Sequence, residues 1–228
     1  MTTILLARHG ETDWNADGRF QGHADVALNE LGRQQARALG LRLRGEPIDA
    51  IWSSDLGRAK QTAFYVASSF GLPVRLSGEL REMDVGRWSG HTREEIAAKW
   101  PEEYLRWRET GRGWPDGEDF DAMQARTVDA LHGIAAAHEG QLVLVVTHGG
   151  PIRAVQAHAA HMTLPEHRQL RGVVGNCEVV RFEVAGGIIT ALDDDEPLTS
   201  DVRAAAPPPS DPLAPPADDA VQHPDAAL

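Results

Sequence analysis

Ile4-Leu5-Leu6-Ala7-Arg8-His9-Gly10 and, far downstream, Val143-Leu144-Val145-Val146-Thr147-His148-Gly149 share one pattern, a short apolar run that ends in a histidine and a glycine. The runs Ile4 to Ala7, Ala50 to Trp52 and Leu142 to Val146 are continuous rather than alternating, as strands buried on both faces of a parallel sheet require. In an open α/β sheet, ligands bind beyond the carboxyl ends of the strands. Two such strands side by side would bring His9 and His148 together, so the sequence points to a reaction.

Helical signals separate the runs. Asn29 is a suitable N-cap for a helix through Leu31, Ala38, Leu39 and Leu43 that closes near Gly45. A second helix is expected to begin around Ser54 or Asp55. A third spans about Asp119 to His138, with Met123, Ala130, Leu131 and Ile134 at helical spacing, and a fourth follows Pro151. Strand and helix in alternation imply an α/β fold, a mostly parallel central sheet flanked by helices. No internal repeat of 20 to 50 residues interrupts this plan.

A chain of 228 residues with 42% hydrophobic content can bury a sizeable core, and one domain with an insertion fits best. Of the net charge of −12, residues 193 to 228 contribute −8, from nine acids against one arginine, which leaves −4 for the rest. That balance provides no electrostatic footprint for nucleic acid or a membrane surface. Cys177 is the only cysteine and has no internal disulfide partner, and no charged-then-apolar leader opens the sequence, so a cytoplasmic location is expected. From Asp193 onward the chain is rich in alanine, proline and aspartate, with Pro207-Pro208-Pro209 and Pro215-Pro216, and reads as a disordered tail after a domain of residues 1–192.

Four blocks carry chemistry-bearing residues in order: Arg8-His9-Gly10-Glu11-Thr12-Asp13-Trp14-Asn15, Ser53-Ser54-Asp55-Leu56-Gly57-Arg58-Ala59, Glu79-Leu80-Arg81-Glu82-Met83-Asp84-Val85-Gly86, and Thr147-His148-Gly149-Gly150. Together they resemble the histidine phosphatase superfamily, the group of cofactor-dependent phosphoglycerate mutases and many phosphomonoesterases, over roughly residues 3 to 185. The resemblance implies a phosphoglycerate mutase-like fold with a small helical cap insertion, about residues 84–117. It also implies a metal-independent phosphomonoester hydrolase that works through a phosphohistidine.

A phosphomonoester dianion repels nucleophiles and its alkoxide leaves poorly, so a site needs a neutral nucleophile, cationic clamps and an acid. By resemblance, His9 is the nucleophile, Arg8 and Arg58 grip phosphate oxygens, and His148, helped by the amide of Gly149, stabilises the transferring group. Guanidinium groups suit that grip because they bind oxygens in pairs. Glu82 matches the position that protonates the leaving oxygen in the phosphatase form of the family. Asn15, Gln21 and Gly22 match weaker phosphate-contacting positions, although Asn and Gly serve equally as turn residues. Glu11 and Thr12 are expected to cap the helix after His9, and Ala27 and Asn29 stand where the family commonly has proline and threonine.

His158 and His161 lack a third ligand, so no metal is expected there, and no cofactor elsewhere. Arg126, Arg153 and Cys177 read as structural. Specificity is expected in the insertion between Glu82 and His148, where Trp88, Trp100, Tyr104, Trp107, Trp114 and Phe120 with Arg87, Arg93, Arg106, Arg108 and Arg112 could wall a small phosphorylated metabolite, although core packing explains most of the aromatics equally well. Mutases of the family carry a longer insertion and an Arg-x-Tyr-Gly run after the glutamate, where this chain has Met83-Asp84-Val85-Gly86. Hydrolysis is therefore favoured over the two alternatives, a bisphosphoglycerate-primed phosphoglycerate mutase and a non-catalytic phospho-ligand binder. The expected partner is a small phosphorylated substrate, without nucleic acid or membrane, and a homodimer is left open.

Overall fold

A computed structural model describes residues 1–110, 114 and 116–192. The tail from Asp193 and Arg112 of the insertion lie outside the described residues. Six strands, β1 (Thr2–Arg8), β2 (Ile48–Ser54), β3 (Val74–Ser77), β4 (Leu142–Thr147), β5 (Val179–Ala185) and β6 (Ile188–Ala191), form one sheet in the order β3-β2-β4-β1-β5-β6. The first four in that order are parallel, and β5 and β6 add an antiparallel edge.

The continuous apolar runs are explained by two cores. Leu5 and Ala7 of β1 with Leu144 and Val146 of β4 face α2 (Glu30–Arg42) and α3 (Gly57–Ala67), whereas Ile4, Leu6, Val143 and Val145 face α6 (Phe120–Ala137) and α7 (Gly149–Ala159). Every strand residue in these two sets is 0% exposed, and each such leucine or valine stabilises the fold by about 1.5–3 kcal/mol.

Local chemistry sets the helix ends. Asn29 accepts from the Gly32 amide at 2.8 Å and starts α2, whose buried stripe is Gly32, Ala36, Leu39 and Gly40 rather than one through Leu31 and Ala38. Thr12 caps the short α1 (Asp13–Ala16) in a capping box with Asn15. Glu11 takes no part in that cap; its carboxylate accepts from Asn29 Nδ2 at 2.9 Å and so braces α2. The helix after β2 begins at Gly57, two or three residues later than expected: Leu56 is still extended (φ −65°, ψ 138°), and Ser54 Oγ and the Asp25 carboxylate accept from the Leu56 and Gly57 amides. The last long helix begins at Gly149, ahead of Pro151, which sits within its first turn where the missing N–H costs nothing.

Between β3 and α6 lie α4 (Arg93–Lys99) and α5 (Pro101–Thr110), and α8 (Leu164–Leu170) follows α7. Trp88, Trp107, Trp114 and Phe120 of this region are buried with Phe20, Met83 and Met123 in a third core. These aromatics hold this region together from inside, because their edge-to-face packing, such as Trp88 on Trp114 at 5.0 Å, buries large surface that a wet cleft wall would leave exposed. No helix among the described residues is long and apolar enough to cross a membrane.

Candidate active site

The register Arg8↔Thr147 aligns the ends of β1 and β4, and the His9 amide donates to the Thr147 carbonyl at 3.0 Å. His9 and His148 therefore leave adjacent strands together, with ring centroids 5.1 Å apart and edges facing. His9 Nδ1 lies 2.7 Å from the Gly10 carbonyl oxygen. A carbonyl only accepts, so Nδ1 carries the proton. Arg58 Nε donates to His9 Nε2 at 3.3 Å, which independently assigns the lone pair to Nε2. The loop is pinned on both sides: the Gly10 amide donates to Thr62 Oγ1, and Asn176 Nδ2 donates to the His9 carbonyl. Burial, and then the charges of Arg58 and Arg8, hold the His9 imidazole well below its ordinary pKa, so it is neutral at pH 7.

Arg58, in the first turn of α3, is 0% exposed. Its Nη1 and Nη2 donate to the carbonyls of Ala24 and Gly22, each at 2.8 Å, and with the Nε bond to His9 this fixes the guanidinium plane. Burial pushes its pKa down to about 10, which still leaves it charged at neutral pH. Gly22 serves here through its backbone: φ is +52°, and a Cβ would lie 2.7 Å from Val85 Cγ2. Arg8, the second guanidinium, donates from Nη1 to the Val174 carbonyl at 2.9 Å and passes within 3.6 Å of where a Cβ on Gly149 would be.

His148 occupies the N-cap position of α7 and is also 0% exposed. Its Nε2 is 2.9 Å from Ser54 Oγ, and its Nδ1 is buried with no partner among the described residues. Burial, followed by Arg58, His9 and Arg8, depresses its pKa well below the ordinary value.

Glu82 follows a turn over Gly78–Leu80 and reaches α7, with Oε1 accepting from the Met83 amide at 2.9 Å and Oε2 from the Gly150 amide at 3.4 Å. Its backbone is fastened by Arg126 of α6. Nη1 of Arg126 donates to the Glu79 and Arg81 carbonyls at 2.7 and 2.9 Å, and Nη2 donates to the Glu82 carbonyl at 3.1 Å. Glu118 orients Arg126 through an Oε2 contact at 2.7 Å, and His23 Nε2 donates to the Glu82 carbonyl at 2.8 Å.

Arg8, His9, Asn15, Gln21, Gly22, Arg58 and Glu82 line one cleft, together with Arg19, Phe20, Met83 and Val85. Of the residues singled out in the sequence, His148 and Gly149 are not among these; the His148 ring packs against that of His9, and Gly149 lies against Arg8. Asn15 lines the cleft while its Oδ1 accepts from the Thr12 amide and hydroxyl. Gln21 Oε1 is buried with no partner among the described residues. Among the residues read as structural, Arg126 forms its ion pair and Cys177 is a buried thiol pushed up to about 12 by burial.

Sequence reasoning does not single out Ser54, Glu118, His23 or Arg19. Ser54 stands inside the second of the four blocks, and a hydroxyl at the end of a strand beside β4 is the available signal. Glu118 and His23 leave none, because their work depends on which carbonyls turn towards them.

Residues 4–193 match the profile of the histidine phosphatase superfamily (branch 1). A metal-independent phosphoserine phosphatase of Arabidopsis thaliana is 44% identical over 161 residues, 68% of this chain and 67% of its own length. The phosphoglycerate mutase-like protein 4 of the same organism is 41% identical, over 68% of this chain and 70% of its own. Among solved structures, Bacillus stearothermophilus YhfR superposes with a TM-score of 0.78 at 34% identity, covering 84% of this chain and 96% of that one.

Proposed function

Because the chain belongs to the histidine phosphatase superfamily (branch 1), we propose that it hydrolyses a small phosphorylated metabolite through a phosphohistidine formed on Nε2 of His9. The observation that carries this reading is the state of His9: a neutral ring with Nδ1–H spent on the Gly10 carbonyl and a lone pair on Nε2 beside Arg58. Nε2 attacks phosphorus, the P–O ester bond breaks, and Glu82 transfers its proton to the departing alkoxide. Water then attacks the phosphohistidine, gives its proton to the Glu82 carboxylate, and releases phosphate with His9 restored.

Arg8 and Arg58 supply fixed positive charge to the equatorial oxygens. A neutral nucleophile and two rigid guanidinium groups suit a dianionic phosphoryl group. After Glu82 the wall is apolar, Met83 and Val85, where mutases of the family have an Arg-x-Tyr-Gly run. That difference supports transfer to water over return to a bound glycerate.

The test uses purified protein with phosphoserine and with 3-phosphoglycerate, the latter with and without bisphosphoglycerate, while phosphate and 2-phosphoglycerate are followed together. Phosphate without isomer is expected. Primed isomer formation with little phosphate would make this a mutase. His9→Ala should abolish acid-labile ³²P labelling, and Glu82→Gln should lower turnover of an alkyl phosphate about 10²- to 10⁴-fold.

A further inference from the structure

Ser54 ends β2, the hydrogen-bonded neighbour of β4, so its hydroxyl lies beside His148 at the carboxyl edge of the sheet. Both residues are 0% exposed. Ser54 Oγ accepts the Leu56 N–H at 3.3 Å and lies 2.9 Å from His148 Nε2. The hydroxyl proton then has one acceptor among the described residues, His148 Nε2. With the imidazole proton on Nε2 instead, two hydrogens would meet along the 2.9 Å contact or the buried hydroxyl would donate to nothing, an arrangement native structures avoid.

We infer that Ser54 is a positioning residue that locks His148 in its Nδ1–H tautomer, so that the buried Nδ1–H is presented to a non-bridging oxygen of the phosphoryl group. The inference rests on the phosphomonoesterase reading above. It accounts for the side-chain nitrogen of His148 that lacks a partner among the described residues, Nδ1, on a ring 5.1 Å from that of His9. Burial and the surrounding arginines keep the ring neutral, and a neutral imidazole donates only from the nitrogen that holds its proton. The wrong tautomer would aim a lone pair at a phosphate oxygen.

The two histidines thus carry the same tautomer for opposite purposes. His9 spends Nδ1–H on Gly10 and turns a lone pair outward, while His148 spends its lone pair on Ser54 and keeps an N–H for the ligand.

The tautomer is read directly from two-bond ¹H–¹⁵N spectra of histidine-labelled protein at pH 7, with His148 assigned by its loss in His148→Asn. The wild type is expected to show a protonated Nδ1 and an unprotonated Nε2. Ser54→Ala should move His148 towards Nε2–H and lower kcat about 10- to 100-fold, less than outright loss of an oxyanion donor, with KM little changed. Orthovanadate affinity should fall in parallel, and circular dichroism reports whether the variant is folded.

A wild-type spectrum with the proton on Nε2 overturns the inference without any variant. So does a folded Ser54→Ala that loses turnover but keeps the Nδ1–H pattern, since that is a merely structural effect. If the spectra behave as expected but the wild type hydrolyses no phosphomonoester, the proposed function fails and the donor role falls with it, while the tautomer lock itself stands.

Discussion

Replacing Gly150 by alanine tests the role of Glu82 without touching its carboxyl group. Gly150 is the second residue of α7, and a Cβ there would lie 2.2 Å from Glu82 Oε1, 3.3 Å from its Cδ and 3.3 Å from Met123 Sδ. The clash falls on the end of a flexible side chain, so Glu82 retreats by about 1 Å and surrenders its contact with the Gly150 amide, a misplacement that costs on the order of 100-fold in a positioned catalytic group. Stability should not suffer, because alanine at a backbone position it can adopt reduces the entropy of the unfolded chain by about 0.4–1 kcal/mol. The informative assay compares two leaving groups. On the proposed mechanism an alkyl phosphate takes its proton from Glu82, so kcat/KM should fall about 100-fold, whereas p-nitrophenyl phosphate leaves as a stable phenolate and should lose less than about tenfold. Equal losses on both esters, or none on either, in a protein with an unchanged melting temperature would refute the assignment of Glu82 as the acid.

Arg126→Met should release three carbonyls around Glu82 and leave Glu118 without its cation; expected effects are about 2 kcal/mol of stability, read by urea unfolding, and a turnover loss again larger for alkyl than for aryl esters. Adding Glu118→Gln should recover part of the stability, since it removes the uncompensated charge. Stability should also depend on pH through His9 and His148. Both pKa values are depressed in the fold, so below about pH 6.5 the unfolded chain binds protons that the folded chain cannot. Their stabilisation is therefore complete above that pH and lost below it, at about 1.4 kcal/mol per pH unit for each histidine, until the folded-state values are reached. Urea unfolding between pH 7 and 5.5, above the carboxylate range, should show this slope, and a flat profile would contradict the neutral state assigned to both rings.

The sheet is legible because its strands write their burial directly into sequence. Residues 4 to 7 and 142 to 146 are apolar at every position, which only a strand covered on both faces demands, and His9 and His148 follow at the ends where such sheets bind ligands. Asn29 and Asp119 mark their helices through a local hydrogen bond between cap and first turn. Strands β3, β5 and β6 escape a reading of the sequence: β3 and β6 are four residues long and half exposed, and β5 is interrupted by Arg181 and Glu183, so none has a continuous apolar run. The cap aromatics are ambiguous between cleft and core, because composition carries no direction. Only packing shows that Trp88, Trp107 and Trp114 face Phe20 and one another.

What the sequence by itself determined is whatever depends on near neighbours: the three strands buried on both faces, the longer helices and their caps, and which residue types stand at the strand ends. What only the tertiary structure decided is the protonation and aim of those residues. The ring of His9 is read through Arg58, 49 positions away, that of His148 through Ser54, 94 positions away, and the backbone of Glu82 through Arg126, 44 positions away. A tautomer is set by whichever donor or acceptor lies within about 3 Å, and at these separations along the chain that neighbour exists only once β2, β4 and β1 are paired and α6 is packed on the sheet.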